Sequence, residues 1–128
     1  MKMIEFALLA LGAVLGAFLR YAIVSSPQTI GGMPINILAI NILGSFIIGL
    51  FSVIALALNL NSNYTLFVGT GFCGAFTTMS SFALETSNLL DNNRLIIVAL
   101  SILANVGLSL VAVISGKVIG EAIIAKVL

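Results

Sequence analysis

The chain has 128 residues, of which 61% are hydrophobic and 7% are charged, and its formal net charge at pH 7 is +1. Soluble domains have about 25% charged residues, so this composition excludes a water-exposed globular surface. It also excludes disorder, which requires low hydrophobicity and high charge, and nucleic-acid binding, which requires a basic surface. No charged residue occurs from Tyr21 to Leu84.

The residue inventory also argues against an enzyme. The sequence contains no His, one Cys and four carboxylates in all. Imidazole acid–base chemistry and His-ligated metals are therefore absent. The lone Cys73, in a glycine-rich apolar stretch, is predicted to be a small buried hydrophobic residue.

Apolar windows long enough to cross a bilayer predict an all-α membrane protein with four transmembrane helices in a single domain. The second window is expected to begin at Pro34, because proline is tolerated in a first helical turn. Polar clusters after each of the first three windows form the expected loops. The predicted spans are residues 4–24, 34–58, 64–90 and 95–125.

Two pairs of glycines have the four-residue spacing that permits close contact between membrane helices. They are Gly12 with Gly16 in the first span, and Gly116 with Gly120 in the fourth. Such spacings also arise by chance, so each pair is only a candidate helix interface. Four helices form a bundle that is too narrow to enclose a pore, and we therefore expect an oligomer.

Lys and Arg near helix ends normally set membrane orientation, but here they are almost evenly divided. One side of the predicted membrane holds Lys2 and Lys126, and also Lys117 if it is counted with the end of the fourth span. The other side holds Arg20 and Arg94. One interpretation is an orientation set by other features. The alternative is a chain that inserts both ways and pairs antiparallel.

The third span is predicted to be broken at midspan. Gly69, Gly71 and Gly74 lie within six residues, and each glycine weakens a helix by about 1 kcal/mol. Thr and Ser hydroxyls follow directly and compete for backbone hydrogen bonds. An interruption in hydrocarbon must be buried in protein or line a wet cavity, and it frees carbonyl oxygens that can coordinate a cation. The alternative is an intact helix that uses this segment for close packing.

Uncharged polar residues in the last three spans should face the bundle interior, because an amide in hydrocarbon needs hydrogen-bond partners. A route rich in neutral N–H and O–H donors suits a small anion, whereas a cation route would use acidic rings or carbonyl arrays. Aromatic ring edges are electropositive, so phenylalanines fit the same route. The candidates are Asn41, Phe76, Thr77, Thr78, Ser80, Ser81, Phe82, Asn105 and Ser109.

Three ordered motifs resemble the signatures of the Fluc/CrcB family of fluoride channels. The longest is GFCGAFTTMSSF at residues 71–82, followed by Glu85. The others are GAFLRY at residues 16–21 and NILG at residues 41–44. Length, number of spans and weak charge bias resemble the family over the whole chain.

The resemblance implies an antiparallel, dual-topology homodimer with two pores, each lined by both subunits, in the bilayer of the cell membrane. Fluoride would pass down its gradient and leave the cytoplasm. One structural sodium ion would be held at the dimer centre by main-chain carbonyls, which correspond here to Gly74 and Thr77.

Other family positions map onto individual residues. By resemblance, Asn41 is a pore donor, Met79 and Phe82 occupy the positions of two phenylalanines that face fluoride, and a hydroxyl track follows. The hydroxyl track corresponds to Ser80 and Ser81, the first-helix arginine to Arg20 and the third-helix carboxylate to Glu85.

Two positions depart from the family pattern. Ala75 replaces the second glycine of the motif, which leaves room for the break. Met79 replaces a phenylalanine, and a thioether is a weak acceptor rather than an electropositive edge. Either this position is a tolerant apolar guide, or Met79 changes conduction.

Two other functional classes are compatible with four short spans. A small dual-topology multidrug or cation exchanger needs a titrating carboxylate inside the membrane, but Glu85 lies toward the end of its span and no Trp is present. A membrane assembly factor that transports nothing would not need a hydroxyl-rich third span. Passive, proton-independent fluoride flux distinguishes a channel from both.

Overall fold

The structure is a computed structural model that describes residues 2–127, and it is almost entirely helical. Each segment that is long and apolar enough to cross a membrane begins and ends within two residues of a predicted span. The predicted all-α fold with four membrane-crossing helices is confirmed. The segments are Met3–Val24, Asn36–Ala57, Ser62–Asp91 and Leu95–Val127, of which the first, second and fourth are helices α1, α2 and α6.

A short β-hairpin joins α1 to α2, and the expectation that the second helix begins at Pro34 is wrong. Strand β1 (Thr29–Ile30) pairs antiparallel with strand β2 (Met33–Pro34). Gly31 and Gly32 between them have φ of +58° and +81°, the left-handed angles that a tight two-residue hairpin turn requires. This turn keeps Pro34 extended, so α2 begins only at Asn36.

The third span is assembled from several helical pieces. Thr77 (φ −78°, ψ 158°) and Thr78 (φ −154°, ψ 116°) have extended backbone angles and lie between the last two pieces. Glycines weaken α-helices, and Gly69 and Gly71 lie within the wider π-helical turn that precedes Gly74. The pieces are α3 (Ser62–Thr65), a π-helical segment (Leu66–Cys73), α4 (Gly74–Phe76) and α5 (Met79–Asp91).

Close backbone contacts join the spans in two pairs, α1 with the third span and α2 with α6. Gly12 and Gly16 of α1 are buried against the third span, where an added Cβ would overlap the carbonyl oxygens of Phe67 and Phe72. On the other side, α2 packs along α6. A Cβ at Gly116 would overlap the carbonyl oxygen of Phe46. Both four-residue glycine pairs predicted from the sequence therefore lie at helix contacts.

Replacement of Gly116 by Ala is expected to destabilise the protein, because the new methyl group would force α6 away from α2. Overpacking of this kind costs about 1–3 kcal/mol. At Gly107 on the same helix, an added Cβ would meet no atom within 4 Å, so Gly107→Ala serves as the matched control. Thermal unfolding in detergent should show a lower midpoint for Gly116→Ala only, and equal midpoints would contradict this packing.

The apolar core is small and lies between α2, α4 and α5. Its fully or nearly fully buried members are Ile37, Ile40, Phe76 and Phe82. Large hydrophobic side chains elsewhere face outward, among them Phe18 and Leu103. Lipid tails are as apolar as these side chains, so such exposure is expected of a protein that is solvated by a bilayer.

Candidate functional site

Most of the predicted site residues line one cavity of about 390 Å³ between α2, the third span and α6. The cavity is open at the protomer surface, and no charged residue is among the described residues that line it. Eight of its lining residues were candidates from the sequence: Asn41, Gly74, Thr77, Thr78, Met79, Phe82, Asn105 and Ser109.

Asn41 binds the backbone of Thr78 through both ends of its side-chain amide. Its Oδ1 accepts from the N–H of Thr78 at 3.0 Å, and its Nδ2 donates to the carbonyl oxygen of Thr78 at 3.3 Å. The same Nδ2 donates to Oδ1 of Asn105 at 3.0 Å, and Nδ2 of Asn105 donates to the carbonyl oxygen of Ser101 at 3.2 Å. The two amides therefore connect α2 and α6 to the extended backbone of the third span.

Hydroxyl groups cluster at the start of α5. Oγ1 of Thr78 accepts from the N–H of Ser81 at 3.2 Å and donates to Oγ of Ser81 at 3.1 Å. Oγ of Ser80 is 3.2 Å from the same Thr78 oxygen. Ser80 and Ser81 therefore continue the polar surface from Thr78, although they do not line the cavity itself.

One polar atom in the cavity wall is buried without a partner. Oγ of Ser109 makes no hydrogen bond within the described protomer. An unsatisfied buried hydroxyl costs about 1–3 kcal/mol, and a ligand that accepts its hydrogen bond would relieve this cost. Ser109 lies one helical turn beyond Asn105 on α6 and faces the same cavity.

Two backbone carbonyls in the cavity wall lack the donors that a continuous α-helix would supply. In an α-helix, the carbonyl of residue i accepts from the N–H of residue i+4. The N–H of Thr78 donates to Asn41 rather than to Gly74, and the N–H of Ser81 donates to Oγ1 of Thr78 rather than to Thr77. The carbonyl oxygens of Gly74 and Thr77 are thereby released from helical pairing.

The exposures of two apolar residues on α5 differ sharply. Met79 is 71% exposed and Phe82 is 5% exposed, although both line the cavity. Phe82 belongs to the core cluster, whereas Met79 projects from the protomer at the open side of the cavity. Cys73 is also buried in the cavity wall, as predicted for a small hydrophobic residue.

The remaining predicted residues lie away from this cavity. Phe76 is only 1% exposed; it packs in the core and stacks on Phe72 with ring centroids 5.5 Å apart. Arg20 is half-buried on α1. Glu85 lines a separate cavity of about 510 Å³ together with Arg94.

Several residues that line the cavity were not among the sequence candidates. Gly44, Ser45 and Ile48 continue the face of α2 that carries Asn41, at offsets of three, four and seven residues. That helical spacing is the signal that could have identified them. The full set of additional lining residues is Gly44, Ser45, Ile48, Gly69, Cys73 and Val106.

No side-chain metal site of the usual kind is present in residues 2–127, because no group of three or more His, Cys, Asp or Glu residues could hold an ion there. A cation at this site would have to be bound by uncharged oxygens. The released carbonyls of Gly74 and Thr77 are oxygens of this kind, and hard cations prefer oxygen.

Comparison with known proteins supplies the family. Residues 7–117 match the family described as CrcB-like protein, Camphor Resistance (CrcB). The chain is 51% identical to a fluoride-specific ion channel FluC of Nitrosopumilus maritimus over 98% of this chain and 100% of that protein. A protein of the same name from Methanocaldococcus jannaschii is 41% identical over 93% of this chain and 96% of its own length. Another, from Parabacteroides distasonis, is 38% identical over 98% of this chain and 99% of its own length. With its four membrane-crossing helices, the chain is a multi-pass protein of the cell membrane that belongs to the CrcB family.

Proposed function

We propose that this protein is a passive, fluoride-selective ion channel, and not an enzyme, that lets fluoride leave the cell. The observation that carries the proposal is the uncharged cavity with its hydrogen-bond donors, including the unpartnered hydroxyl of Ser109. The names of relatives that match this chain over nearly its full length support the same activity.

The physical task of such a channel is to replace water around a small, strongly hydrated anion. A fixed charge deep in the membrane is costly, and a strong one would retain the ion. Neutral hydroxyls avoid both problems. Ser109 supplies an unpaired hydroxyl in the cavity wall, and Thr78, Ser80 and Ser81 form a cluster of hydroxyls at the start of α5.

The apolar part of the path is formed by Met79 and Phe82. The ring of Phe82 is buried in one cluster with Ile37, Ile40 and Phe76, and this packing restricts its position. Met79 acts as a flexible apolar guide at the open side. Its thioether can adapt its shape to the ion without binding it tightly.

A second copy of the chain, inserted in the opposite orientation, completes the channel. Support comes from the open cavity, from the outward projection of Met79, and from the even division of cationic residues between the two membrane sides. The dimer has two pores, and each uses residues from both copies. Arg20 and Glu85 lie away from the pore. They act on the electrostatic potential along it or on the stability of the fold.

A structural sodium ion at the dimer centre fits the residues present. The carbonyl oxygens of Gly74 and Thr77 belong to cavity-lining residues and lack helical donors, and a second copy doubles their number. Such an ion would supply positive potential for anion entry. In this proposal, the extended backbone at Thr77 and Thr78 exposes the carbonyls of the third span to the ion.

Replacement of Thr77 by Val is expected to leave sodium bound. Valine keeps the carbonyl and one methyl group and puts a second methyl group in the place of Oγ1, which donates to the carbonyl oxygen of Cys73 at 2.9 Å. Elemental analysis of the purified protein after exchange into sodium-free buffer should give the wild-type sodium content. Loss of sodium would show that binding requires the Thr77 hydroxyl, either as a ligand or through its hydrogen bond to Cys73.

The function itself is tested by fluoride efflux from liposomes that contain the purified protein. Efflux should be fast when a potassium ionophore relieves the membrane potential, should be independent of a proton gradient, and should be absent for chloride. Proton-coupled movement of organic cations would instead support a small multidrug exchanger. The position of Glu85 in a cavity shared with Arg94 offers that alternative no support.

A further inference from the structure

Two residues of α2, one helical turn apart, contact the extended pair Thr77 and Thr78 from the same side. Asn41 binds the backbone N–H and carbonyl of Thr78. Gly44, three residues later, leaves the space in which the methyl group Cγ2 of Thr77 lies. Residues three apart share a helix face, so these contacts form one surface.

The contact at Gly44 is tight, and its nearest atom is the methyl carbon Cγ2 of Thr77. A Cβ at this position would overlap Cγ2 of Thr77, whereas its other nearest atoms are Cδ1 of Phe76 at 3.3 Å and Cβ of Thr77 at 3.7 Å. Thr77 cannot turn away freely, because its Oγ1 donates to the carbonyl oxygen of Cys73 at 2.9 Å. The side chain of Thr77 is thus held between α2 and the preceding helical turn.

We propose that Asn41 and Gly44 are positioning residues that set the direction of the Thr77 carbonyl and of the Thr78 hydroxyl. Asn41 satisfies the N–H that would otherwise pair with the carbonyl of Gly74, and Gly44 admits the methyl group that fixes Thr77. Neither residue needs to touch an ion to control conduction. The inference rests on the proposed channel function, which it deepens by assigning a role to the surface of α2.

The test uses a pair of substitutions that compensate each other sterically. Gly44→Ala is expected to lower fluoride efflux by about tenfold or more, because overpacking at this contact displaces Thr77. Thr77→Ser keeps the hydroxyl and the carbonyl but removes the Cγ2 methyl group that packs at Gly44, so alone it should lower efflux, although by less than Gly44→Ala does. The double variant Gly44→Ala/Thr77→Ser should regain the wild-type rate, since the added methyl then fills the vacated space.

The inference is overturned if Gly44→Ala conducts like wild type, or if the double variant conducts no better than Gly44→Ala. Should Gly44→Ala fail to fold, the double variant decides the matter, because it must then both fold and conduct. Thermal unfolding of the same four proteins gives a measurement that does not depend on fluoride. If wild type conducts no fluoride, the proposed function fails, while restoration of the unfolding midpoint by Thr77→Ser still tests the contact.

Discussion

Replacement of Asn41 by Asp is expected to reduce the initial rate of fluoride efflux from liposomes by about a hundredfold, because a carboxylate within a membrane span costs about 3 kcal/mol. The substitution removes the N–H donors to the Thr78 carbonyl and to Asn105. Oxygen then faces oxygen at both contacts, and a negative charge enters a cavity that is lined by uncharged residues. Both effects oppose an anion. A fluoride-selective electrode measures the rate.

Asn93→Asp is the matched control, since it makes the same chemical change at an exposed loop position. Asn93 has φ of +55°, a conformation that Asp also tolerates. Its efflux should equal that of wild type. If Asn41→Asp conducts as fast as this control, Asn41 neither lines the path nor positions Thr78.

Replacement of Phe82 by Ala is expected to destabilise the protein and to lower fluoride efflux at temperatures where it remains folded. Loss of a buried phenylalanine ring costs about 3–5 kcal/mol. Phe82 is 5% exposed and packs against Ile37, Ile40 and Phe76. The same truncation removes the ring from the wall of the cavity. Thermal unfolding and efflux measured on one preparation give both effects.

Phe18→Ala provides the comparison, because Phe18 is 70% exposed on α1 and does not line the cavity. It should lose little stability and no flux. Met79→Ala adds a further distinction: Met79 is 71% exposed in the protomer, so its truncation should spare protomer stability and still lower flux. Wild-type flux in both Phe82→Ala and Met79→Ala would contradict the proposed apolar path.

The amino-acid sequence was sufficient for the features that follow from local composition. In a bilayer every backbone polar group must be paired within the protein, so a long apolar run has almost no alternative to a helix. For this reason the four spans could be placed closely from hydropathy alone. The glycine pairs in α1 and α6 were identified for a related reason, since only residues without side chains permit such close backbone approach.

The candidate site was partly predictable on the same basis. Asn41, Asn105 and Ser109 are polar groups in apolar helices, and the cost of leaving them unpaired in hydrocarbon predicts that they face the interior. They do line one cavity with Thr78. The sequence also indicated that glycines and hydroxyls disturb the third span near Thr77.

Contacts between distant segments decided the rest. Pro34 looked suitable for a helix start, but the turn at Gly31 and Gly32 places it in a strand. Phe76 and Phe82 both belong to the buried core, yet only Phe82 also lines the cavity. A periodic sequence pattern predicts neither outcome, because each depends on which segments of the folded chain pack against each other.

The Asn41–Thr78 pair illustrates this difference most directly. Hydropathy and composition were enough to predict an amide in the second span and a weak helical segment in the third. The packing of the helices was needed to show that this amide binds the backbone of a residue 37 positions away. The physical reason is that a hydrogen-bond donor in an apolar medium must be paired, but many acceptors could satisfy it, and helix packing selects the one within reach.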